Sequence, residues 1–160
     1  MKIFVANNLG VLSYNGINWT THAFRTGKKK RSLAFDDDSN RLYIGSQGDF
    51  GYFEDNWTYI SLINKIPEAL RDFDEVWDVY IHNSEVYFCT FQGIYIYDGK
   101  TINVIQHKDG LAKSFYVNNK LFAQSQKGEL FEVQEGRLVE TYTQNQSGQI
   151  ISGIVYKDDG

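Results

Sequence analysis

EVYFCTFQGIYIYDG, residues Glu85–Gly99, is the stretch that decides the fold. Val86, Tyr87 and Phe88 belong to one short strand and Ile94–Tyr97 to a second, because short runs of β-branched and aromatic residues favour extended backbone. The polar turn between them ends in Gly93, the residue type that best tolerates a left-handed backbone. Asp98-Gly99 then supplies a hairpin turn of the Asp-Gly kind. The device recurs three times: IFVANNLGVLSYNG over Ile3–Gly16, LYIGSQGDFGYFED over Leu42–Asp55, and LFAQSQKGELFEVQEG over Leu121–Gly136.

Registered on the turn glycines Gly10, Gly48, Gly93 and Gly128, the copies lie 38, 45 and 35 residues apart. An aromatic follows in three of them, at Tyr14, Tyr52 and Tyr97, where the fourth has Glu132. The triplets Asn18-Trp19-Thr20 and Asn56-Trp57-Thr58 fall in the same phase, with Ile102 at that place in the third copy. A period of about 40 residues with some four short strands per unit is the mark of a β-propeller blade. The expected fold is therefore all-β with little helix: about four blades over residues 1–160, part of a larger propeller of seven-bladed type. Blade boundaries are expected near 25–31, 64–75, 108–112 and 144–149.

Strands can be placed within each unit. The innermost strand lines a crowded axis and should be rich in apolar and small residues, which picks out Ser32–Phe35, Val76–Ile81, Ser114–Val117 and Ile150–Tyr156. Second strands start at Leu42, Val86 and Leu121. Third strands cover Gly51–Phe53, Ile94–Tyr97 and Glu129–Val133, and fourth strands Tyr59–Leu62, Asn103–Gln106 and Leu138–Tyr142. Only Ile66–Asp74, IPEALRDFD, breaks the pattern; Pro67 suits the start of a helical turn between blades. On this register Lys2–Phe24 supplies strands two to four of a blade, and Ile150–Tyr156 a lone first strand. Pairing of the two would close a four-bladed ring; a segment of a longer propeller cut at this phase would look the same.

Composition narrows the function. The 160 residues are 42% hydrophobic and 16% aromatic, enough for a packed core. A net charge of −4 argues against a nucleic-acid module, whose footprint is basic. No apolar run approaches the roughly 20 residues that cross a bilayer, so no membrane insertion by this segment is expected. Met1 leads straight into MKIFVANN without the apolar core of a signal peptide. The expectation is a cytoplasmic protein, or one whose true N-terminus lies upstream. The one cysteine, Cys89, sits mid-strand and reads as a buried, inert thiol.

The residues of Val5–Trp19, Arg31–Phe53 and Arg71–Gly99 resemble the regulator-propeller repeats in sensor regions of bacterial two-component and related transcriptional regulators. The variety followed by a triple-tyrosine domain is the most similar. That blade pattern runs as an apolar strand, a polar turn with Gly, then Tyr-Asp-Gly and Trp. VANNLGVLSYNGINW carries it here, and the likeness weakens from Lys100 onward. The resemblance implies an extracytoplasmic sensor propeller that feeds a membrane-spanning signalling protein. Its partners would be the remaining blades, downstream signalling domains and a second protomer in a homodimer.

Candidate chemistry is sparse. His22, His82 and His107 have no partner at metal-ligand spacing, and Asp36-Asp37-Asp38 lacks the closing Glu of a calcium loop. No metal and no cofactor are expected. Lys28–Arg31 reads as a charged interblade loop, and no nucleophile, zinc or phosphate-loop motif occurs. In a propeller the turns between second and third strands share one face with the loops entering the innermost strand. Those turns carry Asn7, Asn8, Gln47, Asp49, Gln92 and Gln126, and the entering loops carry Arg31 and Trp77. Amides both donate and accept, and a ring stacks on an apolar sugar face, so a small polar or glycan ligand is the expectation. Turn chemistry alone also accounts for Asn, Asp and Gly at these places. A propeller enzyme acting on carbohydrate and a protein-interaction scaffold are the alternative classes.

Overall fold

A computed structural model describes residues 2–8, 10–23, 29–142 and 149–158. Four antiparallel sheets follow one another along the chain, each with its strands in sequence order. The first holds β1 (Ile3–Ala6), β2 (Gly10–Tyr14) and β3 (Trp19–Ala23). The second holds β4 (Lys30–Asp36), β5 (Arg41–Ser46), β6 (Asp49–Phe53) and β7 (Tyr59–Ser61). The third holds β8 (Asp78–His82), β9 (Glu85–Cys89), β10 (Ile94–Tyr97) and β11 (Ile102–Ile105). The fourth holds β12 (Leu111–Val117), β13 (Lys120–Ser125), β14 (Leu130–Gln134) and β15 (Arg137–Tyr142). These meanders are propeller blades, and the protein is an all-β fragment of a propeller. It separates into two compact units, Met1–Ile81 and His82–Gly160.

Pairing register fixes which positions repeat. Ala6↔Val11, Gly45↔Phe50, Cys89↔Ile94 and Gln124↔Leu130 are equivalent pairs at the same turn of each blade. Two residues earlier on the second strand stands an aromatic every time: Phe4, Tyr43, Tyr87 and Phe122. Strands β9 and β10 are buried nearly throughout, Glu85 alone being intermediate. An apolar run without alternation is what a strand covered on both faces needs.

The hairpin turns follow their residues. Asn83 and Ser84 join β8 to β9 with φ of 49° and 62°, and Asn118 and Asn119 join β12 to β13 with φ of 49° and 56°. Two successive left-handed residues match the right-handed twist of paired strands, and Asn tolerates them well. Gly93 has a different role from the one its turn position implies. Its φ is not left-handed, but a Cβ there would sit 2.4 Å from the Ile105 carbonyl oxygen. Gly10 meets the His22 carbonyl in the same way, at 2.1 Å. The glycine lets the third strand approach the fourth.

Two further expectations change. The helical turn expected over Ile66–Asp74 is a pair of short 3₁₀ turns, Ile63–Lys65 and Glu68–Leu70, with Pro67 at the N-cap of the second. Ile150–Tyr156, expected to be an innermost strand, forms no strand. Its start is held by a side chain: Gln124 Nε2 donates to the Gln149 carbonyl at 2.9 Å, and the Ile151 N–H donates to Gln124 Oε1 at 2.7 Å. Among the described residues it joins no strand ladder, and Val155 and Tyr156 are exposed.

In the first unit Val11, Leu42, Ile44 and Phe53 form a buried cluster, with Phe4, Leu33, Phe35, Trp57 and Tyr59 packed around it. In the second, Val86–Cys89, Ile94–Tyr97, Leu111, Leu121, Ala123 and Phe131 are buried.

Candidate functional site

The turns between second and third strands hold most of the candidate ligand-binding residues, and each is tied by its first polar side chain. Asn7 Oδ1 accepts the Gly10 N–H at 2.9 Å. Ser46 Oγ donates to the Asp49 carbonyl and Thr90 Oγ1 to the Gly93 carbonyl, both at 2.9 Å. Ser125 Oγ accepts the Lys127 and Glu129 N–H groups at 3.2 Å each and donates to Glu129 Oε2 at 2.8 Å. A short side chain that bonds its own turn competes with other backbone geometries and holds this one. The residues just after these ties are left outward: Asn8, Gln47, Gln92 and Gln126 are all exposed.

In the first unit the structure brings Gln47, Asp49 and Trp77 to the end of the second sheet. The Gln47 N–H donates to the Lys29 carbonyl, the Gly48 N–H to the Asp74 carbonyl at 2.7 Å, and the Val76 N–H to the Ser46 carbonyl at 3.1 Å. Gln47 Nε2 also reaches Asp74 Oδ1 at 3.4 Å. Residues 74–77 are thus laced to the β5–β6 turn, and Trp77 is half-buried beside it. Asp49 lies inward, 8% exposed. Its Oδ1 accepts the Phe50 N–H at 2.9 Å and the Ser61 hydroxyl at 2.7 Å. Burial, reinforced by the Asp49 charge, raises the Tyr59 hydroxyl pKa far above its usual value. The Arg31 side chain lies outside the described residues.

In the second unit the loop 107–111 is laced in the same way. The Leu111 N–H donates to the Phe91 carbonyl at 2.8 Å and the Gln126 N–H to the Gly110 carbonyl at 3.2 Å. Around Gln126 sits a charged group that sequence spacing did not disclose. His107 Nε2 is 3.5 Å from Glu129 Oε2, and Lys127 Nζ is 2.6 Å from Asp109 Oδ1. The bond to Lys127 holds the Asp109 carboxyl below the ordinary range. His107, Asp109 and Glu129 bring ligand-type atoms within 4.8 Å of one another, and Lys127 already serves the cluster as its cation.

Sequence reasoning missed a cleft in the first unit, at the opposite strand ends. A cleft of about 190 Å³ is lined by Phe4, Phe35, Phe53 and Trp57, with Lys2, Glu54 and Asp55 among its polar residues. Trp57 was legible only as half of the Trp19/Trp57 echo. Its ring stacks on the His22 imidazole at 3.2 Å and 7°. Burial lowers the His22 pKa, and its Nε2 lies 2.8 Å from Ser13 Oγ.

No protein-family model and no curated protein matches the chain. Solved structures share its fold. The extracellular domain of the putative one component system BT4673 from B. thetaiotaomicron matches 91% of the chain with a TM-score of 0.61 and 14% identity. The extracellular domain of the putative hybrid two component system BT3049 from the same organism matches 82% at 0.60 and 15%. PorZ, an essential surface component of the type-IX secretion system of Porphyromonas gingivalis, matches 99% at 0.63 and 11%. The chain spans only 21%, 20% and 21% of those three proteins.

Proposed function

We propose that this chain is part of an extracytoplasmic, non-enzymatic sensing propeller of a two-component or related transcriptional regulator. The observation that supports it is the shared fold with extracellular domains of two such systems. On this reading the remaining blades and the downstream signalling domains are its partners, and two protomers form the signalling unit. The ligand is a small polar molecule or glycan. On the first unit its candidate contacts are the exposed amides of Asn8 and Gln47 with the Trp77 ring as stacking surface, and on the second unit, taken separately, the exposed amides of Gln92 and Gln126; Arg31 stays a candidate from the sequence alone. A blade packed on both faces moves little, so the ligand acts by favouring one arrangement of neighbouring domains.

A thermal-shift screen of glycan fragments tests this. A native-state ligand at a hundred times its Kd stabilises by about 2.7 kcal/mol, with the corresponding concentration dependence. Trp77→Ala should remove that stabilisation and keep a cooperative melt. A Trp77→Ala protein that unfolds would instead assign Trp77 to the core, at a cost of about 3–5 kcal/mol. Turnover of a glycan by the purified chain would move the protein to the enzyme class.

A further inference from the structure

We propose that the aromatic cleft of the first unit binds a small zwitterion with an apolar body, the chemistry of a free apolar amino acid. The walls are set in advance. Phe4 and Phe35 stack at 5.3 Å and 28°, and Trp57 meets Phe4 edge-on at 6.1 Å and 62°. Trp57 is held from two sides. His22 closes one ring face, and the Trp57 backbone takes a left-handed φ of 63° with the Trp57 N–H donated to the Glu54 carbonyl at 2.8 Å. Aromatic walls already in place bind an apolar body without the cost of ordering them.

Charge at the cleft has both signs. Lys2 offers an ammonium for a carboxylate, and Glu54 and Asp55 offer carboxylates for an amine. The Asn40 amide donates to Asp55 Oδ1 at 2.5 Å and fixes that carboxylate. Ion-assisted hydrogen bonds are directional and stronger than neutral ones, so the two ends of a zwitterion orient it. Size points the same way. At about 190 Å³ the cleft is smaller than the roughly 300–1,000 Å³ of drug-sized pockets, and it suits one ring or branched chain. This site lies at the strand ends away from the exposed amides and does not depend on the sensing role proposed for them.

Calorimetric titration with L-phenylalanine, phenethylamine and 3-phenylpropionate separates the contributions. Phenylalanine should bind saturably. Removing its carboxylate or its amine should each weaken binding about tenfold, the scale of one charge-assisted hydrogen bond. Glu54→Gln should weaken phenylalanine and phenethylamine alike and leave 3-phenylpropionate unchanged. Lys2→Gln should bring phenylalanine down to the level of phenethylamine. Both residues are exposed, so the melts of the two variants should match the parent. The proposal is overturned by no saturable binding up to about 10 mM, by 3-phenylpropionate binding as well as phenylalanine, or by both variants binding as the parent does.

Discussion

Gly93→Ala tests why the third sheet has a glycine before β10, where the second and fourth sheets have Asp49 and Glu129. The added Cβ would stand 2.4 Å from the Ile105 carbonyl oxygen, while ordinary contact begins at 3.4 Å. Strand β11 must therefore retreat by about 1 Å, beside the ladder pair Ile94↔Ile105. Overpacking of this kind costs about 1–3 kcal/mol, and a stretched ladder bond adds about 1 kcal/mol. Gly99→Ala is the matched control. Gly99 has φ of 94° and nothing within 4 Å of its built Cβ, so only the left-handed backbone opposes the methyl, at about 1–2 kcal/mol. For a chain of this size each kcal/mol moves the melt by roughly 2–4 °C. Gly93→Ala should then fall about 4–16 °C, Gly99→Ala by half of that or less, as followed by far-ultraviolet circular dichroism. Amide exchange should rise along β10–β11 in the first variant only. If the two variants melt together, or Gly99→Ala is the worse, close strand approach is not what the turn glycine provides.

Asp49→Ala should cost about 1–3 kcal/mol, because it leaves the buried Phe50 N–H and Ser61 hydroxyl without their acceptor. A denaturant melt that does not move would return Asp49 to the ligand-contacting set. Asp98 accepts the Lys100 and Thr101 N–H groups at 2.8 and 2.7 Å and the Thr101 hydroxyl at 2.8 Å. These bonds, the Thr101 N–H foremost, hold its pKa at about 2. A depressed folded-state pKa gives stability that is present above the unfolded value near 3.8 and lost as pH falls toward 2. Asp98→Asn should therefore flatten the stability profile between about pH 4 and 2. A carbon-detected titration giving Asp98 an ordinary pKa would refute this.

The fold was legible because its signals are local. Asp98-Gly99, the apolar runs of Glu85–Gly99 and the recurring aromatics each fix a turn or strand by nearest-neighbour chemistry, and their repetition names the architecture. Ile150–Tyr156 misled for the opposite reason. Its composition suits a strand, but a strand needs a partner to satisfy its backbone, and partner supply is not a property of the segment. The sites divide in the same way. Exposed turn amides such as Gln47 and Gln126 can be read from turn periodicity, whereas the inward Asp49 looks identical in sequence and differs only in what Ser61 and Tyr59 bring to it. The echoed tryptophans make the point most fully. Asn18-Trp19-Thr20 and Asn56-Trp57-Thr58 are the same words, yet Trp57 wedges against His22 and Phe4 while Trp19 rests on Tyr14 at 5.0 Å and stays 55% exposed. A repeat specifies the side chain; the neighbouring blade decides whether it becomes core, cleft wall or surface.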